Sequence, residues 1–171
     1  PWKLDRKARV QRHHPRLRQL EPMSPFSGGN ENFAFTADIT GLQTFAESYE
    51  VPLGTQSHWG WHSTGKRDLY TLDDVVMQPL DTFGRKVGYP LYPEDREEAY
   101  PWLRQNPHRL QLGEISFVLL KENGERAQAE DVSAIEQELN LWEGILYSRF
   151  VVEGEPVTVV TACHPQYDQI S

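Results

Sequence analysis

The sequence predicts an all-β fold, an antiparallel β-sandwich with one long irregular excursion that carries a short helix. Phe33, Phe35 and Ile39 alternate with small or polar residues, which is the pattern of a strand with one buried face. Beyond Leu110 several apolar runs follow one another, separated by turn signals at the spacing typical of a sandwich. A smaller jelly-roll is the alternative fold that these patterns leave open.

The N-terminal half predicts two extended segments. A stretch rich in proline, glycine and serine over residues 22–30 leads into the first strand, and Gly41-Leu42-Gln43-Thr44 turns out of it. A second extended segment runs from about Val51 toward Trp61.

Residues 64–107 have a different character. They contain five prolines and many charges but little periodicity, and they predict one short helix at residues 94–100 that ends at Pro101. A stretch of this length without regular structure is usually a functional loop or a linker. Because no change of composition class follows it, we expect an excursion over the surface of one domain.

The last third of the chain predicts a strand at residues 115–119, a turn at Asn123-Gly124 and a three-stranded meander. The strands and turns of the meander are predicted at residues 137–141, 142–144, 145–152, 153–156 and 157–163. Residues 164–171 end where a further strand is due, so we expect a sandwich truncated at its C-terminus. The unpaired edge along residues 145–163 would then favour self-association.

Composition and charge suggest one domain preceded by a basic arm. The 171 residues suffice for a sizeable core, and the single Cys163 excludes an internal disulfide and is expected to be a buried small hydrophobe. Residues 1–20 hold seven Lys and Arg against Asp5 alone, although the whole chain carries −8. We therefore predict a basic arm over residues 1–25 and an acidic β-sandwich domain over residues 26–171.

The basic arm raises the question of a nucleic-acid partner. An acidic body repels phosphate, and no recognised nucleic-acid motif follows the arm. We therefore expect no nucleic-acid binding, and an arm that packs on the acidic surface of its own protein. No apolar run reaches membrane-spanning length, so no membrane partner is expected either.

The most informative segment for function is Thr55-Gln56-Ser57-His58-Trp59-Gly60-Trp61-His62-Ser63. Its two tryptophans stand one residue apart, each beside a histidine, and an extended chain places both indole rings on one face. Flat apolar rings beside imidazole and amide groups suit a sugar. The predicted substrate-binding residues are therefore Gln56, His58, Trp59, Trp61 and His62. Because tryptophans also anchor cores, we expect one of the two rings to be buried and the other exposed.

Catalytic and metal sites are not indicated by the sequence. Glycoside hydrolysis needs two spaced carboxyl groups, and the acidic residues single out no such pair. Asp38 is expected on the exposed polar face of its strand. His58 and His62 have the spacing of helical metal ligands, but their segment has β character, so we expect no metal and no cofactor. No base is spaced to activate Cys163 as a nucleophile.

A set of motifs resembles a known family. The meander contains Gln137-Glu138-Leu139-Asn140-Leu141, followed by Gly144, Ser148, Phe150, Gly154, Val157 and Cys163-His164-Pro165 with Asp168. Upstream stand Leu112-Gly113-Glu114-Ile115 and Gly29-Asn30-Glu31-Asn32-Phe33-Ala34. In order, these are similar to the N-terminal supersandwich-like domain of six-hairpin glycosidases. The segment around Trp61 falls where the fucosidase-like branch of that family has an extended piece, so the resemblance spans most of residues 26–171.

The resemblance implies an N-terminal accessory domain of a bacterial-type glycoside hydrolase. In that family an (α/α)6 toroid follows the sandwich and supplies the catalytic acid and base, so the chain alone is expected to be inactive. The implied partners are a carbohydrate and the missing C-terminal catalytic domain, and the implied location is periplasmic or extracellular. Asn32 replaces a glycine of the family motif and the excursion is foreign to it, so no particular sugar is implied. The alternative is a stand-alone carbohydrate-binding module that uses Trp59 and Trp61.

Overall fold

The computed structural model describes residues 4–63, 69–90, 98–105 and 108–171. The chain divides into two compact units, Pro1–His58 with Gln111–Ser171, and Trp59–Leu110. Antiparallel strand pairs dominate, so the predicted all-β fold is confirmed. In chain order the helices and strands are α1 (Arg6–Gln11), β1 (Arg16–Leu17), β2 (Phe26–Gly29), β3 (Phe33–Ala37), β4 (Thr55–Ser57), β5 (Trp61–His62), β6 (Gln78–Thr82), β7 (Arg85–Tyr89), α2 (Ala99–Gln105), β8 (His108–Arg109), β9 (Val132–Asn140), β10 (Ile145–Val152) and β11 (Glu155–Ala162).

The first unit is built from two antiparallel sheets. One has four strands in the order β1-β9-β10-β11, and the other has three strands in the order β2-β3-β4. The alternating residues Phe33, Phe35 and Ala37 of β3 are buried, as predicted, and they pack against Leu146 of β10. The two sheets therefore share a core, which gives the first unit the two layers of a sandwich.

Strand β10 shows why the meander could be predicted. Leu146, Ser148, Phe150 and Val152 are buried while the residues between them are less so, which is the period-two pattern of a strand. The following turn consists of two residues with φ of 52° and 84°, a backbone whose twist suits a tight hairpin. The predicted bounds of β10 are confirmed.

The strand predicted at residues 115–119 forms no ladder with any strand that the structure describes. Its backbone bonds instead to the loop after β3: Gln43 N–H donates to the Ile115 carbonyl oxygen at 2.9 Å, and Phe117 N–H donates to Thr44 Oγ1 at 3.1 Å. This extended segment is therefore held partly by side chains of a distant loop, which a local pattern does not reveal.

Asp38 is fully buried, so the expectation of an exposed side chain is wrong. Its carboxylate accepts hydrogen bonds from Thr40 N–H at 2.7 Å, Thr40 Oγ1 at 2.6 Å and Phe45 N–H at 2.6 Å. Burial raises the pKa of the Asp38 carboxyl above its ordinary value, although these hydrogen bonds act to lower it. On the facing sheet Gln137 Nε2 donates to the Asp38 carbonyl oxygen at 2.7 Å and to Ser148 Oγ at 2.9 Å. A buried polar network thus joins the two sheets.

The basic arm contacts the body of the first unit at a sheet edge. Strand β1 pairs with β9, and Arg16 Nε lies 2.6 Å from a carboxylate oxygen of Glu138. The Lys7 ammonium lies 5.9 Å from the centroid of the Trp142 ring, within the range of a cation–π contact. The predicted packing of the arm on its own protein is confirmed for these residues.

The second unit contains the strand pairs β5–β8 and β6–β7 and helix α2. The excursion is therefore less irregular than predicted, because β6 and β7 form a hairpin closed by Phe83 and Gly84 with φ of 54° and 79°. Pro101 lies in the first turn of α2, where a proline is tolerated, so the predicted helix end at Pro101 is wrong. Residues 94–97 of that predicted helix lie outside the described residues.

Candidate functional site

The predicted sugar-binding residues belong to both units. Gln56 and His58 lie in the first unit, whereas Trp59, Trp61 and His62 lie in the second. Within the second unit the structure brings Trp61 and His62 together with His108 and Arg109 of strand β8, which the sequence analysis had not assigned to the site.

Two of the predicted residues, Gln56 and His58, lie in and directly after strand β4 of the first unit. The Gln56 side chain is exposed between the buried residues Thr55 and Ser57, as strand alternation requires. His58 follows the strand, and its N–H donates to the Asn32 carbonyl oxygen at 2.8 Å. The edge of the three-stranded sheet thus fixes the backbone at both predicted residues.

Polar residues from two of the sequence motifs meet at this end of β4. Ser57 Oγ donates to a carboxylate oxygen of Asp168 at 2.6 Å. Asn30 Nδ2 donates to the carbonyl oxygens of His164 and Tyr167 at 2.9 and 3.0 Å. The motif before β3 and the motif after β11 are therefore neighbours. Asn30 and Asp168 are the residues from which this cluster could have been recognised in the sequence, although neither was predicted to have a role in binding.

The two tryptophans lie on either side of a tight turn and not on one continuous strand. Trp61 N–H donates to the Trp59 carbonyl oxygen at 3.0 Å, the two-residue hydrogen bond of a γ-turn centred on Gly60. The alternation that predicted a common face therefore does not apply across Gly60. Both indole rings are nevertheless exposed, at 58% for Trp59 and 51% for Trp61, so the expectation of one buried ring is wrong.

The second tryptophan belongs to what we call the β5–β8 ribbon, residues 59–62 with residues 108–110. Trp61 lies opposite Arg109 and His62 lies opposite His108 in the antiparallel register. Residues directly opposite each other share a face of the ribbon. Trp61 and Arg109 therefore occupy one face, and the two histidines occupy the other.

The two histidines of the ribbon contact each other directly. Their rings meet edge to face, with centroids 5.2 Å apart and planes at 89°. The Nδ1 atom of His62 is buried and has no hydrogen-bond partner among the described residues. An unpaired buried polar atom costs roughly 1–3 kcal/mol, so His62 is a candidate for bonding to a ligand.

The second unit also exposes many large apolar side chains. Within its described residues only Val75 and Ala99 are buried hydrophobic side chains, and Phe83 at the tip of the β6–β7 hairpin is fully exposed. Exposed apolar patches commonly mark interaction sites. The exposed large hydrophobic residues of this unit are Trp59, Trp61, Leu69, Leu72, Val76, Met77, Leu80, Phe83, Tyr89 and Leu110.

Other kinds of site find little support. Within the described ranges, no group of three or more His, Cys, Asp and Glu side chains could hold a metal ion. In the same part of the chain no helix is both long and apolar enough to cross a bilayer. Cys163 is only partly buried, and burial raises the pKa of its thiol, which disfavours the nucleophilic thiolate at neutral pH.

Comparison with protein-family models, curated proteins and solved structures finds no match to this chain. Its function is therefore inferred from the geometry of these residues and from the motifs in its sequence.

Proposed function

We propose that the chain is a carbohydrate-contacting β-domain that serves as the N-terminal accessory domain of a glycoside hydrolase. The observation that carries the proposal is the exposure of both indole rings, Trp59 at 58% and Trp61 at 51%. Neither tryptophan is among the buried core residues of the part of the chain that the structure describes. Sugars offer apolar C–H faces that stack on such rings, and the adjacent polar groups can bond to their hydroxyls.

The accessory role is supported by two further observations. The motifs resemble the N-terminal domain of six-hairpin glycosidases, in which a separate toroid supplies the catalytic carboxyl groups. The second unit also exposes an unusual number of large apolar side chains, which a neighbouring domain would cover. On this proposal Trp59 and Trp61 of the second unit line part of a sugar site that the catalytic domain completes.

A stand-alone carbohydrate-binding module is the second candidate. One observation favours it: a single face of the β5–β8 ribbon carries the Trp61 ring beside the Arg109 side chain. A site of this composition needs no second domain to bind a sugar.

The proposal is tested by affinity electrophoresis and calorimetry with a panel of soluble polysaccharides. We expect Trp59→Ala and Trp61→Ala each to weaken binding by about 1 kcal/mol, roughly fivefold in Kd, because each removes one stacking face. Trp142→Ala is the matched control, since Trp142 is 45% exposed at a turn of the first unit. Its binding should equal that of the wild-type chain.

The outcomes separate the candidates. Sub-millimolar binding by the chain alone, weakened in both tryptophan variants, favours the stand-alone module. Binding that is weaker than this in the wild-type chain, and weaker still in the variants, favours the accessory domain, because such a domain forms only part of the site. Tryptophan variants that bind every polysaccharide as well as the wild-type chain would overturn the proposal.

A further inference from the structure

We infer that His62 and His108 together bind a divalent transition-metal ion of the Zn²⁺ class, which prefers imidazole nitrogen. Both residues belong to the second unit, and they lie opposite each other in the β5–β8 ribbon. This inference goes beyond the proposed function, because the two histidines occupy the face of the ribbon opposite Trp61. The pair also differs from His58 and His62, which belong to one segment, because its second member comes from the other strand.

The register of the ribbon brings the two imidazoles to one place. Residues directly opposite each other in an antiparallel pair project to the same face, with Cβ atoms about 5 Å apart. The rings of His62 and His108 accordingly meet edge to face, with centroids 5.2 Å apart. The backbone pairing holds this arrangement, so the two ligands are already neighbours before an ion binds.

The separation of the rings matches that of two ligands on one tetrahedral ion. A Zn²⁺ ion bound at about 2.0–2.1 Å by one nitrogen of an imidazole lies about 3.2 Å from the centre of that ring. Two rings at the tetrahedral angle on one ion therefore have centres about 5.2 Å apart. His62 and His108 have this separation. Because the Cβ–Cγ bond of histidine points through the ring centre, each ring can turn a nitrogen toward the ion without changing it.

The Nδ1 atom of His62 independently indicates a ligand. It is buried and has no hydrogen-bond partner among the described residues. Buried polar atoms are nearly always paired, because an unpaired one is costly in free energy. Turning this ring toward an ion breaks no hydrogen bond to a described residue at Nδ1, and coordination at Nδ1 gives the atom a partner.

The chemistry of the two side chains selects the class of ion. Imidazole nitrogen suits Zn²⁺, Ni²⁺ and Cu²⁺, whereas Mg²⁺ and Ca²⁺ prefer oxygen ligands. Within the described ranges no group of three or more His, Cys, Asp and Glu side chains could hold a metal ion. The two imidazoles therefore fill two positions of the ion, and water or a small ligand fills the others, as in an open site.

The experiment is calorimetric titration of the full chain with ZnCl₂, repeated with MgCl₂, together with electron paramagnetic resonance of added Cu²⁺. We expect Zn²⁺ to bind and Mg²⁺ to show no binding at the same concentrations, because the ligands are nitrogen. The Cu²⁺ spectrum should show splitting from the nitrogens of two imidazoles. Binding of Mg²⁺ as tight as that of Zn²⁺ would overturn an imidazole site.

Three variants assign the ion to the ribbon. His62→Gln and His108→Gln should each weaken Zn²⁺ binding at least about tenfold, since loss of a group that only supports a metal ligand already costs about 10–100-fold. His13→Gln is the matched control. His13 is exposed in the first unit beside His14, whose Nδ1 accepts a hydrogen bond from Leu141 N–H at 3.0 Å. The control should bind Zn²⁺ as tightly as the wild-type chain.

The outcomes that overturn the inference are distinct from those that bear on sugar binding. Zn²⁺ affinity that survives both ribbon substitutions, or that is lost in His13→Gln, would place the ion elsewhere. A measurement on the wild-type chain guards against variants that unfold: traces of Cu²⁺ should broaden the ring NMR signals of His62 and His108 first. Broadening of other histidines alone would also overturn the site. Neither readout involves a saccharide, so the metal site and the proposed function can fail independently.

Discussion

Asp38 shows how one buried carboxylate can organise a loop. Thr40 and Phe45 supply three hydrogen-bond donors to it, and the carbonyl oxygen of Asp38 receives the side-chain amide of Gln137 from the other sheet. These hydrogen bonds therefore fix the conformation of the loop that follows β3. The same loop contains Gln43 and Thr44, which bond to the segment at Ile115. The burial of Asp38 could not be predicted from alternation, because the strand ends at the preceding residue.

Asp38→Ala is expected to destabilise the first unit strongly. The substitution leaves three buried donors without an acceptor, and we expect the free energy of unfolding to fall by about 3 kcal/mol in urea denaturation. Glu31→Ala is the control in the same unit, because Glu31 is exposed, and its effect should stay within about 0.5 kcal/mol. Equal stability of the two variants would contradict the structural role of the carboxylate.

Cys163 is expected to react slowly with thiol reagents. Burial raises the pKa of its thiol, so at any pH near neutrality the thiolate fraction is smaller than in a free cysteine. The reaction rate with a disulfide reagent should therefore rise with pH and reach half of its maximum above the value for free cysteine. A midpoint at or below that value would show that the thiol is not desolvated.

Strands and turns could be predicted where the sequence patterns that specify them are local. β10 and its flanking turns follow from alternation and from glycines in left-handed backbone. The β6–β7 hairpin was missed because Pro79 and Gly88 disfavour a strand and Phe83 is an unusual residue for a tight turn. Pairing across the hairpin overrides these local preferences, and the local sequence pattern does not reveal that pairing.

The turn after β3 provides a test of close packing around a glycine. Gly41 has φ of +86°, and a Cβ atom there would lie 2.9 Å from Ser148 Oγ and 3.0 Å from Thr161 Oγ1. Gly124 has φ of +84° and nothing within 4 Å of the same position. We expect Gly124→Ala to cost about 1 kcal/mol of unfolding free energy, from the backbone alone, and Gly41→Ala about 2–3 kcal/mol. Equal costs in thermal or urea unfolding would mean that the packing relaxes around the added methyl group.

At the scale of the whole molecule, the sequence pattern predicts the aromatic segment but not its geometry. The spacing of Trp59 and Trp61 indicated a binding surface, and the exposure of both rings agrees with that interpretation. The γ-turn at Gly60 and the partners His108 and Arg109 depend on a strand pairing between residues distant in the sequence. A strand pairing between distant residues leaves no periodic signal in the sequence. The position of Arg109 opposite Trp61 therefore could not be predicted.

Self-association through a sheet edge stays a prediction. The structure narrows the candidate edge within residues 145–163 to one strand. β10 has a partner strand on each side, so within the predicted edge at residues 145–163 only β11 is an edge strand of the four-stranded sheet, the other edge being β1. The backbone of Ala162 exchanges two hydrogen bonds with Ser171, which protects the last residues of that edge. We expect dimers through β11 in sedimentation velocity at high concentration, weakened by Val160→Lys on the exposed side. A monomer at all concentrations would contradict this expectation.

The most direct test of the central claim is to observe the indole groups during binding. In ¹⁵N-correlated NMR spectra the five indole N–H signals can be assigned by single Trp→Phe substitutions. On titration with the oligosaccharides that bind in calorimetry, the account predicts saturable shifts of the Trp59 and Trp61 signals at the calorimetric Kd, while the Trp142 signal stays in place. A saccharide that binds without moving either signal would place the site elsewhere and contradict the account.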